Sequence, residues 1–114
     1  MIGAADRKVI AAAFAHAVNM SPDELEAWLA TDESLAVGWR GSSGERPESV
    51  GHASGRRIVA ILRSPTSELT NADYAHMRKV VGFVRRHLAQ EPVNKVTSRW
   101  RYSLMNWGHD PLKD

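Results

Sequence analysis

Between Thr70 and Pro92 the sequence permits little except one long amphipathic helix. At 100° per residue, Tyr74, Met77, Val80, Val81, Val84 and Leu88 fall within about 120° of one another. Thr70-Asn71-Ala72-Asp73 supplies a start of capping-box type, and Pro92 forbids continuation beyond about Gln90. A stripe of this width must be buried against other elements, and the rest of the chain offers helices for the purpose.

Val9, Ile10, Ala13, Phe14, Ala17 and Val18 repeat at helical spacing after Asp6, with a stop at Asn19-Met20. Ser21-Pro22-Asp23-Glu24 opens a second helix, with Ser21 as cap, Pro22 in the first turn and Glu24 closing the box. Its apolar stripe is Leu25, Trp28 and Leu29, and its acids lie where the helix dipole favours them. Residues 31–38 are expected to form a short helical turn, and 40–47 a polar loop containing Gly41 and Gly44. A third long helix starts at Glu48 or Ser49 and ends near Arg63, before Pro65. The segment from Thr97 to Trp107 places Trp100, Leu104 and Trp107 on one face, with Gly108 as a stop. No alternating strand pattern is visible. The expectation is an all-α fold, one domain over residues 1–114, of four to five helices and no significant sheet.

Cysteine is absent, which removes disulfides and cysteine-based metal sites and fits a cytoplasmic protein. The first 17 residues lack the order of a signal peptide and the length of a membrane span, so no membrane partner is expected. The net charge of +2 conceals a division. Residues 1–48 hold four basic and eight acidic residues, a net −4, and residues 49–114 hold eleven and five, a net +6. A basic half can attract an anion such as nucleic acid, or it can be neutralised by the acidic half within the fold.

The densest part of that charge lies on the long helix. Arg78, Lys79, Arg85 and Arg86 occupy an arc opposite the apolar stripe, with Gly82 between them and no acid to form one-turn ion pairs. Phosphate oxygens satisfy such an array, and counterion release rewards it. Arginine also forks onto phosphate or guanine. The competing readings are pairing with the acidic half and simple solvation.

Two further groups of cations are secondary candidates. Arg56 and Arg57 follow Ser49, Gly51, Ser54 and Gly55, small residues that would admit a phosphate to a helix N-terminus or another helix to close packing. The spacing matches neither a Walker A loop nor a dinucleotide fingerprint. Arg99-Trp100-Arg101-Tyr102 interleaves cations and aromatics as single-strand binders do. The stronger reading makes Trp100 and Trp107 a core anchor with Leu104, leaving Arg99 and Arg101 pointing outward.

His16, His52, His76, His87 and His109 show no metal-ligand spacing, and no nucleophile elbow is present. His76 and His87 are expected at the surface. His52 beside Ser54, and His109 beside Asp110, are the only arrangements that suggest acid–base work, and no enzyme activity, cofactor or metal is expected.

Three blocks, Glu48 to Val59, Asp73 to Val81 and Arg99 to Pro111, together with Leu25-Glu26-Ala27-Trp28-Leu29, resemble the family called domain of unknown function 3140. The resemblance covers nearly the whole chain. Members are often labelled DNA-binding proteins, and no family residue roles carry over. The residues and the resemblance together lead to one expectation: a non-enzymatic, nucleoid-type DNA-binding protein of weak sequence specificity. It would contact phosphates through Arg78, Lys79, Arg85 and Arg86, with Arg56, Arg57, Arg99 and Arg101 in support. DNA is favoured over RNA. The alternative is a protein-interaction module, including a homodimer that pairs acidic and basic surfaces.

Overall fold

Side-chain caps set most of the helix starts. Ser21 Oγ accepts from Glu24 N at 3.1 Å while the Glu24 carboxylate accepts from Ser21 N at 2.8 Å. Thr70 and Asp73 repeat the exchange at 3.1 and 2.9 Å. Ser49 caps His52 N at 3.0 Å, and Ser98 caps Arg101 N at 3.1 Å. Each cap satisfies amides that have no partner within the helix.

The computed structural model describes residues 2–113. Its helices are α1 (Ala4–Ala17), α2 (Pro22–Leu29), α3 (Asp32–Ala36), α4 (Val50–Arg63), α5 (Asn71–Leu88) and α6 (Arg99–Asn106), with a 3-10 turn at Thr66–Glu68 between α4 and α5. No strand occurs among the described residues. The all-α expectation holds, and the helix count differs only by the five-residue α3.

α1 begins two residues before Asp6. The carboxylate of Asp6 reaches back from the first turn to Gly3 N, 3.3 Å away, so Asp6 supports the start from inside the helix. α1 also ends at Ala17, earlier than Asn19. The chain there is tied to the C-terminal segment instead: Asn19 exchanges hydrogen bonds with the Asp110 backbone at 2.8 and 2.9 Å, and Met20 N donates to Gly108 O.

Two helix pairs form the body. α1 lies along α5 and α2 along α4, and α6 touches α2, α3, α4 and α5. One core runs through both pairs, with Phe14, Leu25, Ile58, Val80, Val84, Leu104 and Trp107 all buried. The α5 stripe faces it except at Leu88, which is exposed at the helix end.

α6 can sit centrally because α4 is narrow where they meet. A Cβ on Gly55 would lie 2.5 Å from Asn106 O, and one on Gly51 would lie 2.8 Å from Trp107 Nε1. These glycines therefore serve close packing, and α6 occupies the surface that an anion would have needed. The buried polar groups at this crossing are matched. Asn106 Oδ1 accepts from Trp28 Nε1 at 2.8 Å and from the Ser34 hydroxyl, and Asn106 Nδ2 donates to Ser34 O at 3.0 Å.

Candidate nucleic-acid interface

α5 turns its stripe inward, so its opposite side must face solvent. Arg78, Lys79, Arg85 and Arg86 are all exposed there. Among the described residues none of the four has a carboxylate within ion-pairing distance. The helix forms a ridge with a depression on each side. Arg78 and Arg85 border one against α1, lined also by Asp6, Val9 and Ala13. Lys79 and Arg86 border the other, with Trp39, Phe83 and Trp107. Arg86 folds back over Gly82, whose missing side chain leaves the room: a Cβ there would sit 3.1 Å from the guanidinium.

The supporting arginines are placed differently. Arg56 forms a two-pronged ion pair with Glu48, its Nε donating at 2.8 Å and its Nη2 at 2.5 Å. Arg57 reaches Asp73 at 3.3 Å yet also borders a depression beside Lys79. Arg99 donates to Ala36 O at 3.2 Å. Arg101 does not point outward. It is half-buried, fixed by Asp110 at 3.1 Å and by Val96 O at 2.8 Å, because the chain after α6 folds back beneath it. The structure thus keeps the four α5 cations on one helix face with Arg57 beside Lys79, and gives Arg56, Arg57 and Arg101 carboxylate partners within the chain.

Part of the acidic half does neutralise part of the basic half. Arg63 is held by Asp23 at 2.8 Å and Glu26 at 2.9 Å, and Lys113 by Glu24 at 2.5 Å. The Lys113 ammonium and the Ser21 amide hold Glu24 down at about 2. The Arg56 guanidinium, with help from His52, holds Glu48 at about 2 against its partial burial.

The histidines depart from expectation. His76 and His87 are half-buried, not surface groups. His76 Nε2 lies 2.8 Å from Ser54 Oγ and its ring runs parallel to Trp107. His87 stacks on Phe83 at 4.8 Å. Burial, then the charges of Arg57 and Lys79, push His76 below its ordinary value, and burial alone does so for His87. His52 is buried, bonded through Nδ1 to Glu48 and through Nε2 to Leu29 O at 2.7 Å, so neither ring nitrogen is available to a substrate. His109 Nδ1 pairs with Ala17 O at 2.7 Å. Among the described residues no cluster of three metal-ligating side chains occurs. No helix there is long and apolar enough to cross a membrane.

The ridge and its neighbourhood fall largely inside the segment by which the chain can be classified. A family model described as protein of unknown function (DUF3140) matches residues 13–105. The chain belongs to this family. No curated protein and no solved structure matches the chain. Within the DUF3140 match lie all four α5 cations, the glycines of α4 and the tryptophans Trp28, Trp39 and Trp100, whereas Trp107 lies just beyond it.

Trp39 was not legible as a site residue. It follows Gly38, whose φ of +102° turns the chain against Ser49, and its indole is 59% exposed. The flank formed by His76, Phe83 and His87 did carry a signal: at 100° per residue the three rings fall within about 40°, between the stripe and the basic arc.

Proposed function

We propose that the chain is a nucleic-acid-binding protein that takes hold of the phosphate backbone, DNA foremost, through the α5 ridge. One observation carries this reading: the exposed face of α5 presents four cations without carboxylate partners among the described residues, while Arg56, Arg63, Arg101 and Lys113 are held by carboxylates of the same chain. Four cations within about two turns of one exposed helix face, none with a carboxylate partner among the described residues, form an array for which phosphate oxygens are the matching acceptors.

The contacts are of the positioning kind. Arg78 and Arg85 lie two turns apart, as do Lys79 and Arg86, so the helix addresses phosphates on both sides of its ridge. Gly82 and Ala75 between them offer no side chain that reads a base edge, which favours weak sequence preference. No catalytic step belongs to this reading, and its natural place is beside the nucleoid in the cytoplasm.

The interaction-module alternative draws on the same charge division. The pairing of Asp23, Glu24, Glu26 and Glu48 inside the chain weakens it, because those acids are no longer free for a partner's basic face.

Titration of a labelled duplex at low and at moderate salt tests the proposal. Binding at low salt that weakens steeply with salt, and that disappears when Arg78, Lys79, Arg85 and Arg86 all become alanine, is the expected result. Absence of low-salt binding, or binding indifferent to the four substitutions, overturns it.

A further inference from the structure

On the Lys79–Arg86 side of α5, two depressions of about 230 and 240 Å³ share Val50, Lys79 and Trp107. Trp39, Phe83 and Trp107 supply their aromatic surface, and Arg46, Arg57, Lys79 and Arg86 their charge. No carboxylate lines either depression among the described residues.

Trp39 stands on this groove on a well-tied backbone. Its carbonyl accepts from Val50 N at 2.9 Å, which ties it to the start of α4. The adjoining Arg40 guanidinium donates to Pro47 O at 2.7 Å and Leu35 O at 2.6 Å, holding both ends of the loop. Arg46 lies over the Trp39 ring, 5.7 Å from its centroid. An exposed indole on a backbone tied in this way loses less freedom than one on a loose loop when a flat ligand stacks on it.

Trp107 adds a second, independent mark. The indoles of Trp28 and Trp100 donate to Asn106 Oδ1 at 2.8 Å and His87 O at 2.6 Å. Among the described residues the Trp107 N–H has no acceptor within the chain, although the residue is only 4% exposed. No fully buried side-chain nitrogen or oxygen there lacks a partner, so this N–H is not completely enclosed. The Nε1 edge lies against Gly51, and both residues line the same groove. Stacking of Phe83 on the indole at 4.3 Å fixes the ring and leaves that edge as its polar handle.

We infer that this groove receives an unpaired nucleotide of a nucleic-acid strand, with the base stacked on Trp39 and a base acceptor taking the Trp107 N–H. The flanking phosphates lie against Lys79 and Arg86, which stand about 10 Å apart along the helix. Aromatic stacking tolerates any base, and the surrounding cations follow the backbone. This inference rests on the nucleic-acid reading and deepens it: the ridge holds phosphates of any strand, and the groove selects strands that can offer an unpaired base.

The test compares oligothymidylate with a duplex of equal length, read by fluorescence anisotropy of the labelled nucleic acid and by quenching of the protein's tryptophan emission. The intact chain is expected to bind the single strand more tightly and with quenching. W39A is expected to weaken single-strand binding about tenfold or more and to leave duplex binding unchanged. W39F is expected to recover part of the loss. R78A/R85A, on the far side of the ridge, should weaken both ligands alike.

Single-strand binding that W39A does not change overturns the inference, as does an equal loss for both ligands. Thymidine monophosphate competing as well as the oligonucleotide would assign the groove to free nucleotides and overturn the strand. In all three cases duplex binding through the ridge would stand. Failure of the intact chain to bind either nucleic acid would remove the ridge and the groove together.

Discussion

Arg63 and Arg86 both lie in the last turn of a helix, where the dipole favours a cation. Their circumstances then diverge. Arg63 ends α4 facing α2, and Asp23 and Glu26 hold it from across the helix pair. Arg86 ends α5 facing outward, bent over Gly82 with no carboxylate beside it among the described residues. Local helix physics explains why both residues are cations. Only the element opposite decides which one is tied into the fold and which is left exposed.

The contrast extends to whole regions. Along the seam of α2, α4 and α6 the polar side chains are matched, down to Asn106 with Trp28 and Ser34. On the outer side of α5 four cations, and beside that helix the Trp107 N–H, have no partner among the described residues. Substitutions in the seam should therefore change stability and spare binding, and substitutions on the ridge should do the reverse.

The largest stability effect is expected at Asn106. N106A removes the acceptor of the Trp28 N–H and of the buried Ser34 hydroxyl, at about 1–3 kcal/mol for each group left unpaired. Chemical denaturation should show a loss of roughly 2–4 kcal/mol. A loss within experimental error would mean that the seam is not as closely matched as the hydrogen bonds imply.

Next in size is Arg101, which is half-buried and shared between Asp110 and Val96 O. R101A should cost about 1–2 kcal/mol, the value of a charge-assisted contact reduced by partial solvent access. Duplex affinity should hardly change. Strong loss of affinity without loss of stability would move Arg101 from the seam to the interface.

Acid titration probes the same seam more gently. Glu48 and Glu24 titrate from an ordinary 4.5 down to about 2 in the fold. A carboxyl whose value falls on folding stabilises the native state while ionised. Its contribution is complete above about 4.5 and is lost as pH falls toward about 2. Midpoints of urea unfolding should therefore drop across that window, and E48Q should flatten the drop. An unchanged pH profile in E48Q would sever Glu48 from the acid response.

The smallest stability change belongs to the ridge. R85A and K79A should each shift the unfolding free energy by less than about 0.5 kcal/mol, as exposed substitutions generally do. A larger destabilisation in either would reveal a partner in the fold and reduce the contrast between the regions.

The sequence made the helices legible because their signals are local. Ser21 with Glu24 and Thr70 with Asp73 stand three residues apart, and each pair closes the cap its spacing promised. The α5 stripe and arc separate as the helical period requires. Boundaries moved where a distant segment intervened: α1 stops short because Asn19 meets Asp110, 91 residues away. The same limitation applies at the candidate site. Nothing near Arg56 announces that Glu48 will take both its donors, nor does anything near His76 announce Ser54, 22 residues earlier. Trp39 is not legible in the sequence because one tryptophan beside a polar loop has no period to reveal it.

The contrast between ridge and seam is tested most directly by the salt dependence of duplex affinity. Affinity is measured across a salt series for the intact chain, for R78A/K79A/R85A/R86A and for R56A/R63A, whose cations are paired within the fold. Four phosphate contacts correspond to a slope of log affinity against log salt of about −3 to −4. The intact chain and R56A/R63A should share that slope, and the ridge variant should lose nearly all of it. Equal slopes for the ridge variant and the intact chain, or a slope lost in R56A/R63A, would contradict the assignment of the α5 cations to nucleic acid.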